Sequence, residues 1–298
     1  MARQDLRGHS PPGAPGGFGL RQAFALQDAV GLVTGAGSGI GAALARTLAA
    51  KGTALALVDR DAEGLDATIR AVETLGGTAS GHVLDLADAE AIQALPAWIE
   101  ARFGRLDLLV NNAGVALGGR FEETDLADFE WLMDVNFRAV VRMTHAFLPL
   151  LVRAPMAQIV NVSSLYGLIA PPGQTAYAAS KFAVRGFSEA LRHEYAGTPL
   201  GVTLVHPGGV ATGIARNARH PRGLDVATVE KARVAFERFL RLSPDAAAAE
   251  IARAIERRAP RVIIGRDAKQ VAFLQRLMPV GYWAPIARLT GQMRSSAR

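Results

Sequence analysis

Between Ala29 and His206 the chain repeatedly exchanges one hydrophobic period for another, and this alternation restricts the fold more than any other feature. Apolar runs at 29–34, 53–58, 79–84, 106–110, 158–162 and 202–206 have strand length. The stretches 40–50, 63–75, 88–103, 126–151 and 176–195 carry apolar residues at helical spacing. Gly52 stops the first helix and Gly76-Gly77 the second. The run 106–110 is almost wholly apolar, as a strand covered on both faces must be. Strands alternating with helices predict an α/β, doubly wound Rossmann-type fold with a mostly parallel sheet and helices on both faces. Residues 261–264 supply a seventh strand.

After Gly208 the rhythm changes. Residues 211–242 form an excursion that begins rich in Gly, Arg, Asn and Pro and passes into a helix at 226–242, with another helix at 244–258. The expected organisation is a flexible extension at 1–22, one catalytic domain at 23–267 and a peripheral basic extension at 268–298. With 298 residues, half of them hydrophobic, the chain can bury a large core without staples. It has no cysteine, which removes disulfides, thiolate metal sites and cysteine nucleophiles. The six histidines are scattered without a metal-ligand pattern, so no metal is expected. The polar, proline-bearing start has no apolar signal core, and no apolar run approaches the ~20 residues of a membrane span. The expected location is cytoplasmic.

The net charge of +6 is unevenly placed: residues 253–298 hold ten Arg or Lys against Glu256 and Asp267. A solvated basic surface is the plain account. No helix-turn-helix or zinc-finger spacing supports nucleic-acid recognition. The segment 268–290, with Tyr282 and Trp283 among arginines, can cap the core, line a substrate entrance or lie on a membrane surface.

Two local patterns carry chemistry. Gly35, Gly37, Ser38, Gly39, Ile40 and Gly41 lie in a turn that follows the first strand and opens the first helix. Missing side chains there let the backbone approach a pyrophosphate, and helix N-terminal amides supply donors. Asp59, 18 residues after Gly41 at the end of the second strand, can accept hydrogen bonds from an adenosine ribose. Far downstream, Tyr177 and Lys181 stand four apart in a helical segment and share one face. An ammonium there favours a phenolate, lowering a pKa that is ordinarily about 10. Such a phenol exchanges protons with an alcohol or carbonyl. No phosphate-loop or Gly-x-Ser-x-Gly signature competes with this chemistry.

With these motifs in place, the chain resembles the short-chain dehydrogenases/reductases over about residues 27–212. Thr34–Gly41 matches the family's cofactor turn, Asn111-Asn112-Ala113-Gly114 its motif after the fourth strand, and Pro207-Gly208-Gly209-Val210-Ala211-Thr212 its nicotinamide-embracing segment. Ser164 lies thirteen residues before Tyr177, the family separation. The resemblance implies that Tyr177 is the acid/base, that Ser164 bonds the reacting oxygen, and that Lys181 holds the nicotinamide ribose. It further implies that Asn136 anchors a water in a proton relay, and that Asp85 and Leu86 border adenine. Asn112, Ala113, Gly114, Pro207, Gly208, Val210 and Thr212 complete the cofactor contacts.

The expected cofactor is NAD, because Asp59 repels the extra phosphate of NADP; the neighbouring Arg60 is the argument for NADP. Ala116, Leu117, Ser164, Leu165 and Tyr166, with Gly209 leaving space, are the expected substrate lining, and their character favours an uncharged, fairly apolar secondary alcohol or ketone. Arg216, Arg219 and Arg222 are the alternative, for an acidic substrate. The family forms dimers or tetramers through helices that here carry Val140, Val141, Met143, Phe147 and Leu148, and Phe182, Val184, Phe187 and Leu191. A homotetramer is expected. The rivals are an NADPH-dependent carbonyl reductase and a non-catalytic NAD-sensing or interaction protein.

Overall fold

The structure is a computed structural model and describes residues 22–223 and 226–290. The expected extension at 1–22 falls almost entirely outside the described residues, as do 291–298 of the basic extension. Seven strands form one sheet: β1 (Val30–Thr34), β2 (Ala54–Asp59), β3 (Ala79–Val83), β4 (Leu108–Asn111), β5 (Ala157–Val162), β6 (Leu200–Pro207) and β7 (Arg261–Ile264). Their order is β3-β2-β1-β4-β5-β6-β7, and every neighbouring pair is parallel. The order reverses direction between β1 and β4. Doubly wound sheets bind ligands at that crevice, beyond the carboxyl ends of the strands.

Strand periodicity divides the core into two layers. Val33 and Leu57, side by side in register, face a layer with Leu44 and Leu48 of α1 (Gly39–Ala49), Leu65 of α2 (Ala62–Thr74) and Ile251 of α8 (Pro244–Glu256). Their neighbours Leu32 and Ala56 face the opposite layer, with Ile92 and Ile99 of α3 (Ala89–Phe103) and Met143 and Phe147 of α5 (Ala139–Leu151). Successive strand residues point to opposite faces, so an apolar run of five is buried throughout. The opposite layer also takes Leu191 of α6 (Thr175–Glu194).

The expected long helix at 126–151 is interrupted. α4 (Leu126–Met133) passes into a π turn at Asp134–Arg138 before α5 begins. Such a bulge re-aims side chains inside an otherwise regular helix, and here it carries fully buried Asn136. The helix expected at 226–242 is α7 (Val226–Glu237) and ends early, because the amides of Arg241 and Leu242 both donate to the Gly209 carbonyl at 3.0 Å.

Beyond β7, α9 (Arg266–Leu277) and α10 (Trp283–Thr290) follow. Ala268, Ile286 and Ala287 are buried, so part of this extension seals the fold. Val140, Met143, Phe147, Val184 and Leu191, expected as interface material, are buried within the subunit, while Phe182 is exposed.

Candidate active site

Every loop that the sequence marks as functional leaves the sheet at its carboxyl edge. β1 delivers the glycine turn, β2 ends in Asp59, β4 runs into Asn112, β5 into Ser164 and β6 into the segment from Pro207. Parallel pairing alone brings these distant motifs together.

Gly35 sits at φ +65°, where a Cβ is strained, and a Cβ there would stand 2.7 Å from the Ala113 Cα. A Cβ on Gly41 would stand 2.0 Å from the Gly35 carbonyl oxygen. The turn therefore closes only with glycine at both positions. Asn112 fastens it from the neighbouring strand: its Nδ2 donates to the carbonyls of Thr34 at 2.9 Å and Gly35 at 3.2 Å. Thr34 Oγ1 accepts from the amides of Asn112 and Ala113 at 3.0 and 3.1 Å.

Asp59 points into the same turn. Its Oδ2 accepts from the Gly37 amide at 2.8 Å, and its Oδ1 from the Asp61 amide at 2.9 Å. Arg60 beside it is exposed. Across the crevice, a Cβ on Gly39 would lie 3.0 Å from the Thr212 methyl, so the loop after β6 reaches over the helix start. The result is a backbone cradle, open where side chains would fill it, beneath an α-helix N-terminus. That shape and donor set fit a dinucleotide phosphate. Asp85 is exposed and caps the Ala87 amide at 2.9 Å, whereas the Leu86 side chain is buried in the core.

The candidate chemistry lies at the ends of β5 and α6. Burial holds the Tyr177 phenol above its ordinary pKa, and the neighbouring Ser164 side chain pulls it down by a smaller amount. Tyr177 as a residue keeps partial exposure while its hydroxyl end is enclosed. Its ring meets Tyr166 edge-on, with centroids 6.0 Å apart; burial pushes the Tyr166 phenol up to about 12.

Lys181 is 3% exposed, and burial lowers its pKa to about 8. Its Nζ stands over the Tyr177 ring, 5.7 Å from the centroid, and donates to the Val162 carbonyl at 3.2 Å. The expectation that Lys181 lowers the Tyr177 pKa therefore needs correction for this state of the site. Helical spacing does bring the pair together, but the ammonium donates to the strand carbonyl, and burial keeps the Tyr177 pKa raised.

The Asn136 side chain is held by protein partners. Its Oδ1 accepts from the Val115 amide at 2.8 Å, and its Nδ2 donates to the Val115 carbonyl at 3.0 Å and to Ser180 Oγ at 3.1 Å. Both amide protons and one Oδ1 lone pair hold the loop after β4 against α6. Gly114 lies between Asn136 and Lys181, where a Cβ would stand 3.2 Å from Lys181 Nζ.

Leu117 packs with Leu132 and Ala176 in a small apolar cluster against Tyr177, and Leu165 and Tyr166 form a single turn just after Ser164. Gly209 does not leave room for a ligand: a Cβ there would lie 1.9 Å from the Phe239 carbonyl oxygen, so its vacancy admits the returning excursion. Val210 is buried and bridges Leu242. Gly208 abuts Asp267, whose carboxylate accepts the Gly209 amide at 3.3 Å.

Arg219 is likewise engaged elsewhere. Its guanidinium pairs with Asp128 at 2.6 Å and stacks 3.5 Å from the Trp131 ring centroid. Its amide donates to the Ala116 carbonyl at 2.9 Å, and its carbonyl accepts the Gly118 amide at 3.1 Å. It staples the excursion to the loop after β4, and so is not presented to a substrate.

His206, read from the sequence as structural, supports the backbone of Ser164. Its Nδ1 lies 2.8 Å from the Ser164 carbonyl oxygen, so Nδ1 carries the proton. Nε2 is buried without a hydrogen-bond partner. Burial lowers the His206 pKa to about 4. The sequence signal was its place beside Pro207 at a strand end.

A doubly wound parallel sheet with a glycine cradle at its switch point and a Ser-Tyr-Lys cluster on the adjoining strand and helix defines a nicotinamide-dependent oxidoreductase architecture. The model of the short chain dehydrogenase family matches residues 29–223. The chain belongs to the short-chain dehydrogenase/reductase family. It is 45% identical over 261 residues to the putative oxidoreductase SadH of Mycobacterium tuberculosis, covering 87% of this chain and 94% of that protein. Among solved structures, it is similar to a short-chain dehydrogenase/reductase from Burkholderia phymatum in complex with NAD, with a TM-score of 0.79, 30% identity, and coverage of 85% of this chain and 94% of that one. It is also similar to a metagenomic short-chain oxidoreductase in complex with NADP, with a TM-score of 0.65, 32% identity, and coverage of 81% and 98%.

Proposed function

We propose that this protein interconverts an uncharged, fairly apolar secondary alcohol and its ketone with NAD. The observation that carries this reading is the Tyr177 phenol, set beside Ser164 and backed by buried Lys181, whose Nζ lies 5.7 Å from the ring centroid, next to the cradle. Gly35, Gly37, Ser38, Gly39 and Ile40 would hold the pyrophosphate, and Asp59 the adenosine ribose. Asn112, Ala113, Gly114, Pro207, Gly208, Val210 and Thr212 would enclose the nicotinamide half. When bound, the nicotinamide accepts or supplies the hydride.

The chain's own residues manage the proton. In oxidation, Tyr177 Oη takes the hydroxyl proton as the hydride leaves the carbinol carbon; in reduction it returns that proton to the carbonyl oxygen. Ser164 Oγ holds the reacting oxygen in line. Lys181 contributes positive charge and a donor to the nicotinamide ribose, while Asn136 fixes the loop beside it and belongs to the proton path to solvent. Leu117, Leu165 and Tyr166 exclude water around the reacting carbon, and Ala116 borders them.

NADP use remains the second reading, because Arg60 adjoins Asp59 and the metagenomic relative carries NADP. A homo-oligomer, expected as a tetramer, would bury Phe182 of α6. Initial rates with NAD and NADP across neutral and carboxylate-bearing alcohols test the proposal. NAD-linked turnover of neutral members supports it, and activity confined to acidic members contradicts it.

A further inference from the structure

The site accounts for the carboxyl edge of the sheet but not for the surface made by the end of α9 and the turn after it. There, five consecutive residues, 276–280, are all exposed. They read Arg-Leu-Met-Pro-Val. Leu277 is 63% exposed and Val280 93%, and Phe273, one helical turn before Leu277, is 64% exposed. Large apolar side chains clustered at this exposure mark an interaction site more often than chance.

We infer that this apolar lip docks peripherally on an anionic lipid surface. The charge around it selects the partner. Lys269 and Arg276 share the helix face of Phe273 and Leu277 by spacing, and Arg266 and Arg288 are exposed on the same extension. Glu250 lies 3.7 Å from Lys269 and offsets it, and Asp267 accepts the Gly209 amide, so Arg266, Arg276 and Arg288 carry the excess positive charge. A two-fold contact between copies would set this basic cluster against itself. Anionic headgroups neutralise it while the acyl boundary takes Leu277, Met278 and Val280. No described helix is long and apolar enough to cross a membrane, so the contact is peripheral.

The lip is fastened to the site's rim. Tyr282 Oη accepts a hydrogen bond from the Ala170 amide at 2.9 Å, three residues beyond the turn that carries Leu165 and Tyr166. Docking thus holds the loop after Ser164 against the lipid boundary. None of this depends on which alcohol is oxidised.

The test is sedimentation of the full chain with vesicles of phosphatidylcholine alone and of phosphatidylcholine with phosphatidylglycerol. The expected result is binding to the anionic vesicles that exceeds binding to the neutral ones by on the order of tenfold and declines with salt. Leu277→Glu with Val280→Glu should abolish it, and Arg276→Glu should weaken it, while cofactor affinity measured by tryptophan fluorescence stays at the wild-type value. Wild-type protein left in the supernatant with both vesicles overturns the inference. So does a double variant that still sediments, or one whose effect is a smaller oligomer by light scattering, which would make the lip a subunit contact.

Discussion

The imidazole of His206 donates from Nδ1 to the backbone carbonyl of Ser164 at 2.8 Å, joining the end of β6 to the serine beside the Tyr177 phenol. The bond crosses between adjacent parallel strands just where both leave the sheet, so Ser164 is held from behind by a fully buried ring.

His206→Leu removes that donor, and kcat should fall by on the order of tenfold, the loss of roughly one net hydrogen bond. His206→Asn, which keeps a donor, should recover most of it, and neither should alter NAD affinity. Acid stability gives a second readout. The folded pKa of about 4 lies below the ordinary 6.5, so the unfolded chain binds the extra proton between those values. Stability should therefore fall as pH drops from above 6.5 towards 4, by at most on the order of 3 kcal/mol. Chemical-denaturation midpoints across that range should show a shallower acid limb in the His206→Leu protein.

Gly41→Ala tests the cradle. The new methyl would meet the Gly35 carbonyl at 2.0 Å and Asn112 Nδ2 at 2.6 Å, and overpacking of this kind costs about 1–3 kcal/mol. NAD affinity by isothermal titration should fall by at least about tenfold, with a lower unfolding temperature. Unchanged affinity would mean that the pyrophosphate sits elsewhere.

Asp59→Ala separates the two roles of that carboxylate. Removing the acceptor of the Gly37 amide should destabilise the turn by about 1–3 kcal/mol. Removing the charge beside Arg60 should lower the NAD to NADP ratio of kcat/KM by roughly tenfold or more. Steady-state rates with both cofactors measure this.

Arg219→Ala should loosen the excursion, because the guanidinium bridges Asp128 and the Trp131 face while its backbone pairs with the loop after β4. Limited proteolysis should cut within 211–223 faster than in the wild type. KM for a neutral alcohol should rise several-fold with a smaller change in kcat.

The fold was legible because apolar strands of five or six residues and helices with glycine stops repeat in order, and β7 was read to the residue. The glycine turn and Asp59 were legible from their places at a helix start and a strand end, Tyr177 from its spacing to Lys181, and Asn112 and Ser164 only through the family resemblance. What escaped were properties created by tertiary bonds. The π turn around Asn136 leaves no mark in a uniformly helical pattern. Gly209 was read as open space because the chain passing 1.9 Å from its missing Cβ is Phe239, thirty residues on. Helical spacing reports the proximity of Lys181 to Tyr177 but not the Val162 carbonyl that takes the ammonium.

The central claim is that Tyr177 moves the proton while the rest of the site holds cofactor and substrate. The direct measurement is NADH absorbance during alcohol oxidation by wild-type protein and Tyr177→Phe, with NAD binding followed in parallel by titration calorimetry. The phenylalanine variant keeps the ring that packs against Tyr166 and Leu117, so it should fold and bind NAD as the wild type does. Its kcat should fall by about 100-fold or more, the loss of a positioned general acid/base. Near wild-type NADH production by a variant that binds NAD normally would contradict the account.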